Sequence, residues 1–229
     1  MQQNSVVFYY IGSVVPPYAE YCIRSIRKFN HVRITQLTDD KTPSLNGVDE
    51  VKRFIPSEKI SRNTVNRIGY QFLSEMDINP VLFIDPDMIF NGNIDHLFEG
   101  DYDVCVATRA MDDPVPVDYA LKFPWCSMMV VKNPEFWKDC YRILLSYSDI
   151  HWVSNMNAVS SVLRSGKYKV RVIDGNVYNA LPFSYSDYVK IYHYKLSDKT
   201  GMIPFFEKYC NKEEYNERCY QENSILRCG

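Results

Sequence analysis

The first apolar run, Val6-Val7-Phe8-Tyr9-Tyr10, has the length of a buried strand and is too short for a buried helix. Gly12 and Pro16-Pro17 break it. Tyr18, Cys22, Ile26 and Phe29 then recur three to four residues apart, which predicts a helix over 17–29 with one apolar stripe. A second strand is predicted over 32–37, ending at Asp39-Asp40. Residues 41–50 contain Pro43, Asn46 and Gly47 and read as loop, and 51–55 as a short strand. Val65, Ile68, Phe72 and Met76 predict a helix over 63–76. Val81-Leu82-Phe83-Ile84 is the most apolar strand, and strands are also expected over 103–108, 128–131, around Val170 and Val172, and over 188–194. Residues 110–120 read as a proline-bearing loop. Asn133 as N-cap with Pro134 at N1 predicts a helix to about residue 147, and another is expected over 150–164 before Gly166, a C′ glycine. Strands alternating with helices are the pattern of an α/β domain with a mostly parallel central sheet flanked by helices. No repeat or linker interrupts it, so 1–229 is read as one domain.

Composition narrows the partners. The chain has 229 residues, 46% hydrophobic and 24% charged, which excludes wholesale disorder and allows a core without metal or disulfide staples. A net charge of −2 argues against a nucleic-acid surface. Seven cysteines, at 22, 105, 126, 140, 210, 219 and 228, form no Cys-x-x-Cys pair, and several sit in apolar runs such as Val104-Cys105-Val106. That is the usage of a reduced, cytoplasmic protein. No apolar run is long enough to span a bilayer, so no transmembrane segment is expected. The tail over 204–229 balances its charges, gives little attraction to anionic lipid, and is expected to be a solvated helix packed on the domain.

The sharpest chemical signal follows the apolar strand: Phe83-Ile84-Asp85-Pro86-Asp87. Strand period two places Asp85 and Asp87 on one side, and Pro86 holds Asp85 extended. In open α/β sheets ligands bind beyond the carboxyl ends of the strands. Two neighbouring carboxylates there repel each other until a cation neutralises them, and hard oxygen ligands favour Mn²⁺ or Mg²⁺. The plainer reading is an Asp-Pro-Asp turn. The buried strand before it and Met88-Ile89-Phe90 after it favour the metal.

This motif resembles that of the GT-A glycosyltransferases, nearest to the family 8-like enzymes that use nucleotide sugars. The resemblance runs from about residue 6 to about residue 200. It implies a single Rossmann-like GT-A domain with a nucleotide-binding half over 1–100 and an acceptor-side half over 101–203. It continues in Asn133-Pro134-Glu135-Phe136-Trp137, in the Tyr178-Asn179 pair, and in His193-Tyr194-Lys195-Leu196-Ser197-Asp198-Lys199. The last matches the family's His-x-x-Gly-x-x-Lys, with the glycine lost to Leu196. The likeness implies that Asp85, Asp87 and His193 bind Mn²⁺ or Mg²⁺ and that Lys199 contacts the diphosphate. It implies a donor-binding arginine at Arg67, with Arg62 as competitor. Tyr10, Ile11 and Gly12, at the end of the first strand, fall where a base would lie. Tyr10 is read either as a stacking platform or as an aromatic closing a core strand. Asp39 or Asp40 is read as a contact to the base or as a turn acid. Arg109 is a further candidate for the sugar or acceptor.

Two positions depart from the family pattern. Trp125 stands where the family has Asn, and Asn155-Met156 where it has Asp-Gln. The implied activity is metal-dependent transfer of a hexose from a UDP-sugar, UDP-glucose or UDP-galactose, to a hydroxyl of a glycan, lipid or protein, with retention. The rivals are a non-catalytic carbohydrate- or nucleotide-sugar-binding protein of the same fold and a sugar nucleotidyltransferase. The nucleotidyltransferase needs a glycine-rich basic loop after the first strand, and Ile11-Gly12-Ser13-Val14-Val15 has one glycine and no cation.

Overall fold

The computed structural model describes residues 4–108, 117–122, 124–148 and 153–210. Its centre is a seven-stranded sheet built from β1 (Ser5–Tyr9), β2 (Arg33–Thr38), β3 (Glu50–Arg53), β4 (Val81–Ile84), β6 (Val104–Ala107), β7 (Met128–Val131) and β8 (Val170–Ile173). The strand order is β3-β2-β1-β4-β7-β6-β8. Every pairing is parallel except those of β7, which runs antiparallel to β4 and β6. A two-stranded antiparallel ribbon, β5 (Met88–Phe90) with β9 (Ile191–His193), stands apart from it. The helices are α1 (Pro17–Phe29), α2 (Val65–Glu75), α3 (Val117–Lys122), α4 (Glu135–Ser146), α5 (Ser154–Leu163), α6 (Gly175–Tyr178) and α7 (Met202–Phe205).

Period two sorts the central strands cleanly. Leu82, Ile84, Cys105, Ala107, Met128 and Val130 face one core, with Ala19, Cys22, Ile23 and Ile26 of α1 and the whole of β5. Val81, Phe83, Val104, Val106, Met129 and Val131 face the other. That second core takes Ile68 and Phe72 of α2, Phe136, Trp137, Cys140 and Leu144 of α4, and Ala158, Val159 and Val162 of α5. Both faces of the sheet are covered, which is why these strands carry no polar alternation. Each fully buried side chain of this size stabilises the fold by about 1.5–3 kcal/mol. Trp137 meets Phe83, Tyr70 and Phe136 edge to face at 5.3–5.8 Å.

Two buried polar residues, Ser25 on α1 and Asn30 at its C-cap, hold the ribbon and the turn after it in place. Ser25 Oγ accepts from Phe90 N–H (2.9 Å), and Asn30 Oδ1 accepts from Ile94 N–H (2.9 Å). Asn133 Oδ1 accepts from Glu135 N–H at the start of α4, so the residue predicted as N-cap caps from one position earlier. Gly166, with φ +73, is in the left-handed region but lies two residues past the C-cap Arg164, one position beyond the expected C′.

Several expectations shift. β9 covers only the last part of the strand predicted over 188–194, and residues 117–120 of the predicted loop are helical. The described start of the tail packs on the domain as expected, but through buried side chains. Met202, Phe206 and Cys210 are buried, with Phe206 against Tyr21 of α1. The five described cysteines, Cys22, Cys105, Cys126, Cys140 and Cys210, are buried free thiols. The remainder of the tail, with Cys219 and Cys228, lies outside the described residues, as do the first residues of the helix predicted over 150–164. No described helix is long and apolar enough to cross a membrane.

Candidate metal and donor site

Parallel pairing brings the carboxyl ends of β1, β2 and β4 to one edge of the sheet, and antiparallel β7 adds its amino end there. The two aspartates do not extend the strand. β4 stops at Ile84, and Asp85-Pro86-Asp87 turns out of the sheet into β5. Their shared direction comes from that turn and not from the strand pleat. Asp85 N–H donates to the Ser127 carbonyl (2.9 Å), and the Asp87 carbonyl accepts from Tyr194 N–H (2.9 Å). β5 pairs Met88 with His193, which sets His193 beside Asp87.

The result is a compact donor set. Asp85, Asp87 and His193 each offer a ligand atom, and these atoms all lie within 4.8 Å of one another. His193 Nε2 is 3.2 Å from Asp87 Oδ1. That oxygen is buried and accepts no hydrogen bond of good geometry. A buried carboxylate oxygen left short of hydrogen-bond donors fits a cation, and two carboxylates with an imidazole nitrogen suit Mn²⁺ or Mg²⁺. Lys199, from the 3₁₀ turn Leu196–Gly201, places Nζ 2.7 Å from Asp87 Oδ2 and 5.0 Å from the centre of the Tyr18 ring.

The charges respond to this crowding. Burial, and then the charge of Asp87, push the Asp85 carboxyl up to about 8. Burial pushes Asp87 the same way, but His193 and the Lys199 ammonium outweigh it and hold that carboxyl below the usual range. Burial would lower Lys199, but the Asp87 carboxylate raises it above its ordinary value, so it is a cation at neutral pH.

The predicted base-binding residues gather at the neighbouring strand ends. Tyr10 N–H donates to the Leu37 carbonyl (3.1 Å), and Thr38 Oγ1 donates to the Tyr10 carbonyl (2.7 Å). Gly12 N–H donates to Thr42 Oγ1 (3.0 Å). Asp39 is buried in its own turn, where Oδ1 accepts from Thr42 N–H (2.8 Å) and Lys41 N–H (3.3 Å). Ile11 packs on the α2 side of the sheet and Tyr10 on the α1 side. Arg67 forms a bidentate ion pair with Glu58. Asn155 and Met156 occupy the first turn of α5, and Arg109 lies outside the described residues. A concavity of about 330 Å³, lined by Lys28, Asn91, Tyr185 and Tyr209 among others, lies past the far end of β5 and is not part of this site.

Sequence reasoning missed the surroundings of His193. Its Nδ1 lies 2.9 Å from Asn179 Oδ1, 3.2 Å from Trp125 Nε1 and 3.3 Å from Ser127 Oγ. Trp125, the departure from the family pattern, stands against the histidine, and Lys195 Nζ sits 3.2 Å above the centre of its ring. The chain offers no periodic signal for such contacts.

No family model matches this chain, and no curated protein matches it. Among solved structures it is similar to the glycosyltransferase GlyE of Streptococcus pneumoniae TIGR4, with a TM-score of 0.62, 15% identity, and coverage of 87% of this chain and 56% of that one. The apo form of GlyE gives a TM-score of 0.58 at 16% identity over 86% and 55%. The chain thus spans a little over half the length of this neighbour. What the likeness establishes is the fold: a mixed α/β glycosyltransferase fold with a Rossmann-like, mostly parallel sheet.

Proposed function

We propose that the protein is a metal-dependent glycosyltransferase of the GT-A type, moving a hexose from UDP-glucose or UDP-galactose to a hydroxyl of a glycan, lipid or protein. One observation carries the reading: Asp85, Asp87, His193 and Lys199 meet at the carboxyl edge of a glycosyltransferase-like sheet, although some hundred residues separate the aspartates from the other two.

Asp85, Asp87 and His193 are the residues that would hold Mn²⁺ or Mg²⁺, which when bound neutralises diphosphate oxygens and acts as a Lewis acid. Lys199 supplies a fixed ammonium next to the leaving diphosphate, where negative charge grows as the glycosidic bond breaks. Tyr10, Ile11, Gly12 and Asp39 lie at the ends of the adjoining strands and receive the nucleotide end of the donor. Arg67, paired with Glu58, is the arginine of this reading that would contact the donor. Retention belongs to this reading, with the leaving phosphate oxygen taking the acceptor's proton.

Calorimetry tests the reading. UDP is expected to bind at least tenfold more tightly with Mn²⁺ than in EDTA, and Asp87→Asn to remove most of that difference, because a neutral amide is a poorer ligand. Equal UDP affinity with and without metal restores the plain turn and rejects the transferase mechanism.

A further inference from the structure

His193 is buried, and its ring nitrogen Nδ1 faces two partners that make opposite demands. The Trp125 indole can only donate a hydrogen bond, and the Asn179 carbonyl oxygen can only accept one. Nδ1 has a single in-plane direction, carrying either a proton or a lone pair. With the proton on Nδ1, the ring donates to Asn179 Oδ1, and Nε2 turns a lone pair towards Asp85 and Asp87. With the lone pair on Nδ1, the ring accepts from Trp125, and Nε2–H points at Asp87 Oδ1 and closes the site to a cation.

We infer that Asn179 is the positioning residue that holds His193 as its Nδ1–H tautomer and so presents Nε2 to the metal site. The inference rests on the reading of Asp85, Asp87 and His193 as a cation site. Two observations carry it. The Asn179 contact is the shortest of the three at Nδ1, at 2.9 Å against 3.2 and 3.3 Å. Asn179 is buried and its backbone is pinned: its N–H donates to the Gly175 carbonyl, and the carbonyl of the next residue, Ala180, accepts from His193 N–H (2.8 Å). The amide and the ring therefore move as one unit. Trp125 is the opposing donor, and Ser127 Oγ can serve either state.

The test combines tautomer and affinity. Long-range ¹H–¹⁵N correlation spectra of the metal-free protein, recorded well above the ordinary imidazole pKa, distinguish the two neutral tautomers of His193. Mn²⁺ titration followed by electron paramagnetic resonance gives the affinity. The wild type is expected to show Nδ1–H. Asn179→Leu should convert the ring to Nε2–H and weaken Mn²⁺ about 10–100-fold. Asn179→Asp, which keeps an acceptor in place, should preserve both the tautomer and the affinity. Trp125→Phe, which removes the opposing donor, should keep Nδ1–H and bind Mn²⁺ at least as well as wild type. An Nε2–H ring in the wild type, or wild-type Mn²⁺ affinity in Asn179→Leu, overturns the inference. A wild type that binds no Mn²⁺ would reject the cation site itself, while its tautomer would still decide whether Asn179 sets the ring.

Discussion

A carboxyl pushed up towards neutrality in a candidate cation site would make cation binding a proton exchange. In the folded chain burial, and then the charge of Asp87, push the Asp85 carboxyl up to about 8. An unfolded aspartate releases its proton near 4. Metal can bind only after that proton leaves, so Mn²⁺ affinity should rise steeply between about pH 6 and 8 and level off above, and titration calorimetry in buffers of different ionisation enthalpy should show a proton released. The same shift has a stability consequence. A carboxyl whose folded pKa is raised adds a contribution that is complete below the unfolded pKa and is lost as pH climbs through about 8. In EDTA, Asp85→Asn should remove that loss, and thermal melts against pH will show it. Lys199 acts on the other aspartate. Lys199→Ala should lower turnover by about a hundredfold or more, since removing a charged group from a developing anion costs roughly 2–4 kcal/mol. Wild-type turnover in that variant would mean that the ion pair with Asp87 is only structural. Asp85 and Asp87 were visible in the sequence because two aspartates follow a wholly apolar strand, whereas His193 and Lys199 were singled out only by the resemblance to a family motif. The links from Asn179 and Trp125 to His193 were not visible, since they join side chains 14 and 68 positions apart across different elements.

Elements differed in how plainly they announced themselves. β4, β6 and β7 are readable because a sheet covered on both faces makes them continuously apolar. β5 escaped notice because three apolar residues after Asp-Pro-Asp look like the tail of a turn, and their partner β9 is a hundred residues away. α6 is four residues long, too short to show a helical period. A subtler feature is the fit of α2 against the sheet. A Cβ on Gly69 would come within 2.5 Å of the Tyr9 ring, which stacks on Phe83 and donates its hydroxyl to Asn66. Helix propensity alone favours Gly69→Ala by about 1 kcal/mol. Overpacking of this kind costs about 1–3 kcal/mol, and here the clash is with a ring held on both sides. The variant is therefore expected to melt several degrees below the wild type. A melting temperature equal to or above wild type would show that Tyr9 can yield.

On the scale of the whole molecule, the acceptor side decides stereochemistry. An inverting transferase needs a carboxylate base beside the incoming hydroxyl. The stretches expected to face the acceptor, Phe123 to Met128 and Trp152 to Asn157, contain no Asp or Glu, and Asp118 on α3 is exposed. An α-linked product from UDP-glucose or UDP-galactose is expected, and anomeric couplings in its proton spectrum will check it. A β-linked product would direct the search for a base to the stretch around Asp112, Asp113 and Asp118. The pairing of Met88 with His193 has a further consequence, which concerns the newborn chain. At about 5–20 residues per second, the ribosome releases the two aspartates roughly 5–20 s before the histidine and lysine that complete their site. Through that interval the nascent protein carries the acidic pair without His193 and Lys199 beside it and lacks the strand that closes the ribbon. The cluster is complete only once the chain has grown past Lys199, and a chain stopped short of it would carry the aspartates without their partners.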